Sequence, residues 1–107
     1  MKMDLLWENA SPDSSFAEQT INIPIYDLFL IKYKIVTGPS SLETQLVLAS
    51  VGEAHHVMYS NNSGYVFNRY ITIKENGLLV SQCDLNGNSS YNNQRLIPLQ
   101  IYGSNLT

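Results

Sequence analysis

Three sets of side chains in this 107-residue chain are of types that could do chemistry. The first is Cys83 with His55 and His56, the material of a thiol nucleophile and its base. Cys83, however, lies in "LLVSQCD", a half-buried strand pattern, with no neighbouring loop suited to an oxyanion hole. The preferred reading is a buried structural cysteine. The second set is His55-His56 as metal ligands. Adjacent strand residues point to opposite faces, so one chain cannot chelate an ion through both. A trimer could gather three copies of one histidine around its axis. Surface or boundary histidines are preferred, and no metal is expected. The third set is the carboxylates Asp4, Glu8, Asp13, Glu18, Asp27, Glu43, Glu53, Glu75 and Asp84. Glycoside hydrolysis needs two of them facing each other across a bond. Most sit in or beside turns, the usual place for solvated carboxylates. No phosphate loop, zinc spacing or nucleophile elbow is present. The chain therefore reads as a non-enzyme without a cofactor.

Recognition chemistry is better represented. The segments "YSNNSGY" and "DLNGNSSYNNQR" are neutral and rich in amides. Asn carries a donor and an acceptor at fixed geometry, and Tyr carries a flat apolar face with one hydroxyl. Stacking plus paired hydrogen bonds is what a neutral sugar needs. The candidate ligand-binding residues are Tyr59, Asn61, Asn62 and Tyr65 from the first segment. The second supplies Asn86, Asn88, Tyr91, Asn92, Asn93 and Arg95, with Arg95 and Asp84 bracing its base or meeting a charged group. The competing reading is that Asn, Gly and Ser only satisfy turn geometry. For any single Asn that reading is preferred; for the clusters both stay open.

Composition narrows the partners. Six basic residues against nine acidic ones give a net charge of -3, and the basic residues are scattered. A nucleic-acid surface needs them clustered, so no nucleic acid is expected. Charged residues make up only 14%, well below the usual quarter, so Asn, Ser, Thr, Gln and Tyr must supply the polar surface. The single cysteine excludes an intramolecular disulfide. No apolar run is long enough to span a membrane, and "LLW" near the start is too short for a signal-peptide core. No membrane insertion and no signal peptide are therefore expected. The length suits one domain, residues 1–107, with short flexible ends at about 1–3 and 104–107.

The elements that must position these residues are strands. In "DLFLIKYKIV", Phe29, Ile31, Tyr33 and Ile35 alternate with Leu28, Leu30, Lys32 and Lys34, so the first set should face a core. The second set leaves Leu28 and Leu30 as apolar surface for a partner. Ile71 and Ile73 alternate in "RYITIK", and Ile97, Leu99 and Ile101 in "RLIPLQIYG". Pro98 cannot donate to a ladder, so its strand lies at an edge or is bulged there. "SSLETQLVLASVG" has some helical spacing but reads better as strand. Asn76-Gly77 accepts the positive φ of a tight hairpin turn, joining about Tyr65–Lys74 to Leu78–Asp84. The whole predicts an all-β, antiparallel β-sandwich or jelly roll of about seven or eight strands.

Two stretches, "LLWENASPDSSFAEQTINIPIYDLFLIKYKI" and "RLIPLQIYG", carry a family likeness. The residues concerned are Leu6, Trp7, Ser11, Pro12, Ser14, Ser15, Phe16, Gln19, Thr20, Tyr26 and Tyr33. Near the end they are Ile97, Pro98, Ile101, Tyr102 and Gly103. In this order and spacing they resemble the C-terminal β domain of tail-fibre and tail-tip proteins of tailed phages and prophages, especially of Gram-positive hosts. The segment of about 38–68 matches only in strand rhythm. The resemblance implies a virion protein, made in the host cytoplasm without a signal peptide, that binds a host cell-surface glycan or protein. It implies a homotrimer beside other tail proteins and brings no catalytic motif. The rival expectation is a structural tail domain that trimerises or docks without touching a receptor.

Overall fold

The computed structural model describes residues 2–36, 42–48, 50–60, 63–86, 88–91 and 93–106, with 42–48 and 88–91 as backbone. Its strands are β1 (Asp4–Glu8), β2 (Gln19–Asn22), β3 (Leu28–Val36), β4 (Leu42–Leu48), β5 (Ala54–Ser60), β6 (Val66–Lys74), β7 (Gly77–Val80), β8 (Asp84–Leu85), β9 (Asn88–Tyr91) and β10 (Arg95–Ser104). They form two antiparallel sheets. One runs β1-β10-β3-β4; the other runs β2-β7-β6-β8-β9, with β5 on the opposite side of β6. The expected antiparallel β-sandwich is thus the fold. Two short strands, β8 and β9, form a hairpin inside the polar loop. The ambiguous "LETQLVL" is β4, paired along β3.

Alternation explains the core. Phe29, Ile31 and Ile35 of β3 point inward, and Tyr33 packs partly buried beside them. Ile71 and Ile73 of β6 do the same, opposite Val80 and Leu78 of β7. Ile31 is directly across from Ile101. Burying each such side chain contributes about 1.5–3 kcal/mol, and a chain without disulfides depends on that sum. Trp7 and Phe16 meet edge to face at 6.0 Å and close one end of the core.

The backbone corrects two local expectations, decides a third between its two alternatives and adds contacts at the C-terminal end. The hairpin from β6 to β7 is present, but its turn residues are Glu75 and Asn76, and neither Asn76 nor Gly77 has positive φ. Gly77 is the first residue of β7, paired with Lys74 and Asn22. A Cβ there would overlap the Ile21 carbonyl, so close strand approach, rather than turn conformation, requires the glycine. Next, Pro98 is tolerated at a bulge and not at an edge, since β10 is central and its register shifts between Pro98 and Gln100. The shift breaks the alternation, so Leu96, Ile97 and Pro98 are all buried while Leu99 is only half-buried. Then, Leu28 is buried, so it is not free apolar surface; Leu30 is half-exposed. Finally, the C-terminal end makes contacts of its own. Ser104 is a buried strand residue, Asp27 N–H donates to Asn105 Oδ1, and Leu106 N–H donates to Asp27 Oδ2.

Among the described residues no helix is long and apolar enough to cross a membrane.

Candidate functional site

The polar segments meet at one end of the six-stranded sheet. Asn86 takes a left-handed φ of 56°, which Asn tolerates better than most residues. Its N–H donates to the Val66 carbonyl, and its Oδ1 accepts from Val66 N–H at 2.7 Å. Those two bonds join the start of the second segment to the end of the first. Beside them, Tyr65 is about half exposed. Phe67 lies beneath, with the Tyr59 ring stacked on it at 6.4 Å and the Arg95 guanidinium 4.8 Å from its centroid.

The base of this end is clamped by a residue that sequence reading passed over as one of several scattered cations. Arg69 is fully buried. Its Nη1 donates to Ser81 O at 2.6 Å, and its Nη2 to Phe16 O at 2.8 Å, Asn93 O at 3.3 Å and Arg95 O at 3.2 Å. Its Nε also reaches Arg95 O at 3.3 Å. These acceptors are neutral carbonyls, so burial lowers the guanidinium pKa to about 10; it remains a cation at neutral pH. One side chain thus ties the N-terminal segment, the break between β7 and β8, and the end of the polar loop. Asn93 completes the clamp: its carbonyl accepts from Phe16 N–H, and its Oδ1 accepts from Cys83 N–H, both at 2.8 Å. The neighbouring Cys83 is buried, and burial raises its thiol to about 11. A neutral, inaccessible thiol is inert, as the structural reading required.

The solvent face of the same sheet carries a connected polar row. His56 pairs with Tyr70 across β5 and β6, and Asn68 pairs with Asp84 across β6 and β8. Asn68 Nδ2 donates to Asp84 Oδ1 at 2.8 Å, while Asn68 Oδ1 lies 2.6 Å from His56 Nε2. An amide oxygen only accepts, so His56 Nε2 must carry the proton. The chain Asp84–Asn68–His56 holds the imidazole flat against the Tyr70 ring, with centroids 4.8 Å apart and planes 12° apart. Tyr70 and the adjacent Met58 are 44% and 56% exposed. The register continues to β9, where Tyr91 lies opposite Asp84. His55, on the other face of β5, is half-buried. Its Nε2 is 3.9 Å from Glu53 Oε2, too far for a hydrogen bond.

Of the predicted ligand residues, Tyr59, Tyr65, Asn86, Asn93 and Arg95 gather at this end of the molecule. Asn86 and Asn93 spend their side-chain oxygens on backbone, and Tyr59 and Arg95 pack on Phe67; of the five, Tyr65 and Asn86 are exposed. Asn88 and Tyr91 are placed as backbone of β9, and Asn61, Asn62 and Asn92 lie outside the described residues. Sequence reasoning missed His56, Asn68, Tyr70 and Met58 as a group. Alternation alone set them on solvent faces, but the β5–β6 register was needed to bring them together. Among the described residues no cluster of His, Cys, Asp and Glu could hold a metal ion. No family model, curated protein or solved structure matches the chain.

Proposed function

We propose that this domain is a host-attachment module of a tailed phage or prophage, and that it binds a neutral cell-surface glycan. The contact surface in this reading is the solvent face of β5, β6 and β8, continued into the polar loop. The observation that carries the glycan part is the row Asp84–Asn68–His56 set beside exposed Tyr70 and Met58. It offers a flat His56–Tyr70 pair beside Met58, held in place by the buried Asn68 amide and Asp84, a preformed apolar platform on which a sugar ring can stack. The Arg69 clamp supports it too, because a site held in place loses less entropy on binding. The setting in a virion rests on the resemblance of the two ends of the chain to tail-fibre and tail-tip domains.

The test is a glycan array, with whole-cell binding alongside, comparing wild type with Tyr70→Ala. Tyr70 is exposed, so its loss should change the urea midpoint little. Binding should weaken by about 1–3 kcal/mol, the usual cost of removing a contact aromatic. Full binding by Tyr70→Ala with loss in Tyr91→Ala would move the site into the loop. No binding by the wild type to glycans or cells would favour the structural tail domain instead.

A further inference from the structure

The solvent face of the four-stranded sheet has a different character. The register sets Leu5 of β1, Tyr102 of β10 and Leu30 of β3 in one row. Leu5 is 51% exposed, and Tyr102 and Leu30 are half-buried. The next row holds Glu8, Gln100 and Lys32 on the same three strands. Gln100 Nε2 donates to Glu8 Oε2 at 2.6 Å, Tyr102 Oη donates to Gln100 Oε1 at 3.2 Å, and the Lys32 ammonium sits 5.3 Å from the Tyr102 centroid. Across β1, β10 and β3, with β4 lying beyond β3, an apolar row beside a polar one, with an acid on β1 and a base on β3, is complementary to itself.

We propose that this face pairs with the same face of a second copy about a two-fold axis running along β10. Such an axis exchanges the flanks while keeping the rows. Glu8 then meets Lys32 of the partner subunit, Lys32 meets the partner's Glu8, and Leu5 packs on the partner's Leu30. A two-fold axis running across the strands would put Glu8 over an apolar residue and leave both charges unmatched. The charges therefore select one axis, and the contact is isologous and closed. The three strands, about 4.8 Å apart and about five residues long at 3.4 Å each, give a plan area of roughly 250 Å². Stable interfaces use about 800 Å² per partner, so the dimer is weak and forms at high micromolar concentration. It leaves the opposite face, with His56 and Tyr70, open on both copies.

Sedimentation velocity from low micromolar to millimolar concentration tests this. The wild-type mass should rise from 12.0 kDa towards twice that value. Glu8→Lys alone and Lys32→Glu alone should each stay monomeric, because each sets like charges together twice. Mixing the two variants should restore the dimer, since one copy then presents only bases at these two positions and the other only acids. Leu5→Asp, at an exposed position, should also abolish association while circular dichroism stays unchanged. A monomer at all concentrations overturns the proposal. So does a trimer, a dimer indifferent to Glu8→Lys, or a mixture of the charge variants that fails to associate.

Discussion

Arg69 shows how much one buried cation can organise. Five hydrogen bonds run from its guanidinium to the carbonyls of Phe16, Ser81, Asn93 and Arg95, and its charge lies 5.6 Å from the Phe16 ring centroid. The carbonyls come from chain segments far apart in sequence, so the residue acts as a tertiary cross-link. Only a planar fork with several donors can serve them together. Lys at this position could satisfy a fraction of them, and Met none. Each buried acceptor left unsatisfied costs about 1–3 kcal/mol. Arg69→Met should therefore destabilise the domain by roughly 3–5 kcal/mol, close to the whole stability of a small domain. Urea denaturation followed by tryptophan fluorescence would measure it through Trp7. Arg69→Lys should fall between Met and wild type. Wild-type stability in Arg69→Met would mean that water replaces the guanidinium.

At the scale of elements, strand spacing sets tighter limits than turn chemistry. Gly77 joins β7 to β2 on one side and β6 on the other, and the Ile21 carbonyl occupies the place of a Cβ. The contact is with backbone, so no rotamer change can relieve it. Gly77→Ala should push β2 off the sheet, with a cost of about 2 kcal/mol or more, in the range of overpacking. The loss should show as faster hydrogen exchange of the β2 amides, with β3 and β10 unaffected. Asn76→Ala should be nearly neutral, because Asn76 does not occupy the left-handed region. Equal effects at both positions would contradict this assignment. Leu96 makes a contrasting case: it is a buried leucine at φ 52°, a costly conformation. It immediately follows Arg95, whose carbonyl Arg69 holds.

Across the whole molecule, the buried Cys83–Arg69 neighbourhood gives stability a distinct alkaline dependence. The folded thiol is raised from 9.0 to about 11. Above the unfolded value the unfolded chain releases this proton and the folded chain does not. The native state then binds more protons, so stability falls as pH rises. The contribution is full below about pH 9 and is lost as pH approaches 11. Arg69 has the opposite sign, and its lowered pKa of about 10 makes it act from about pH 9 upwards. Between pH 8 and 10 the cysteine term sets in first, and comparison with Cys83→Ala isolates it because both proteins keep Arg69. It amounts to about 1 kcal/mol at pH 10, from 1.36 kcal/mol per pKa unit. Cys83→Ala should show a shallower fall than wild type over that range in urea melts. Identical slopes would show that the thiol titrates normally and is less enclosed than its burial indicates.

What the sequence determined by itself is what depends on local periodicity. Alternation in "FLIKYKI" and "YITIK" determined that β3 and β6 are strands and which face of each lines the core, because a period of two lines one face with apolar residues whatever the partner; that Leu28 and Lys34 on the other face of β3 are also buried was not in the pattern. It settled the all-β class, the hairpin of β6 with β7, and the inert cysteine. Pro98 announced an irregularity in its strand because it lacks an N–H. The tertiary structure alone decided everything that depends on register and on distant partners. Arg69 reads as an ordinary surface cation until four carbonyls converge on it. Met58, His56, Asn68, Tyr70 and Asp84 are separate polar or exposed residues until β5, β6 and β8 align them. Both predicted amides with described side chains, Asn86 and Asn93, hold backbone N–H groups, because a backbone N–H outside the ladders still needs an acceptor. A strand's own faces are local information; which side chain stands beside it across the sheet is not, because a slip of one residue would change every pair.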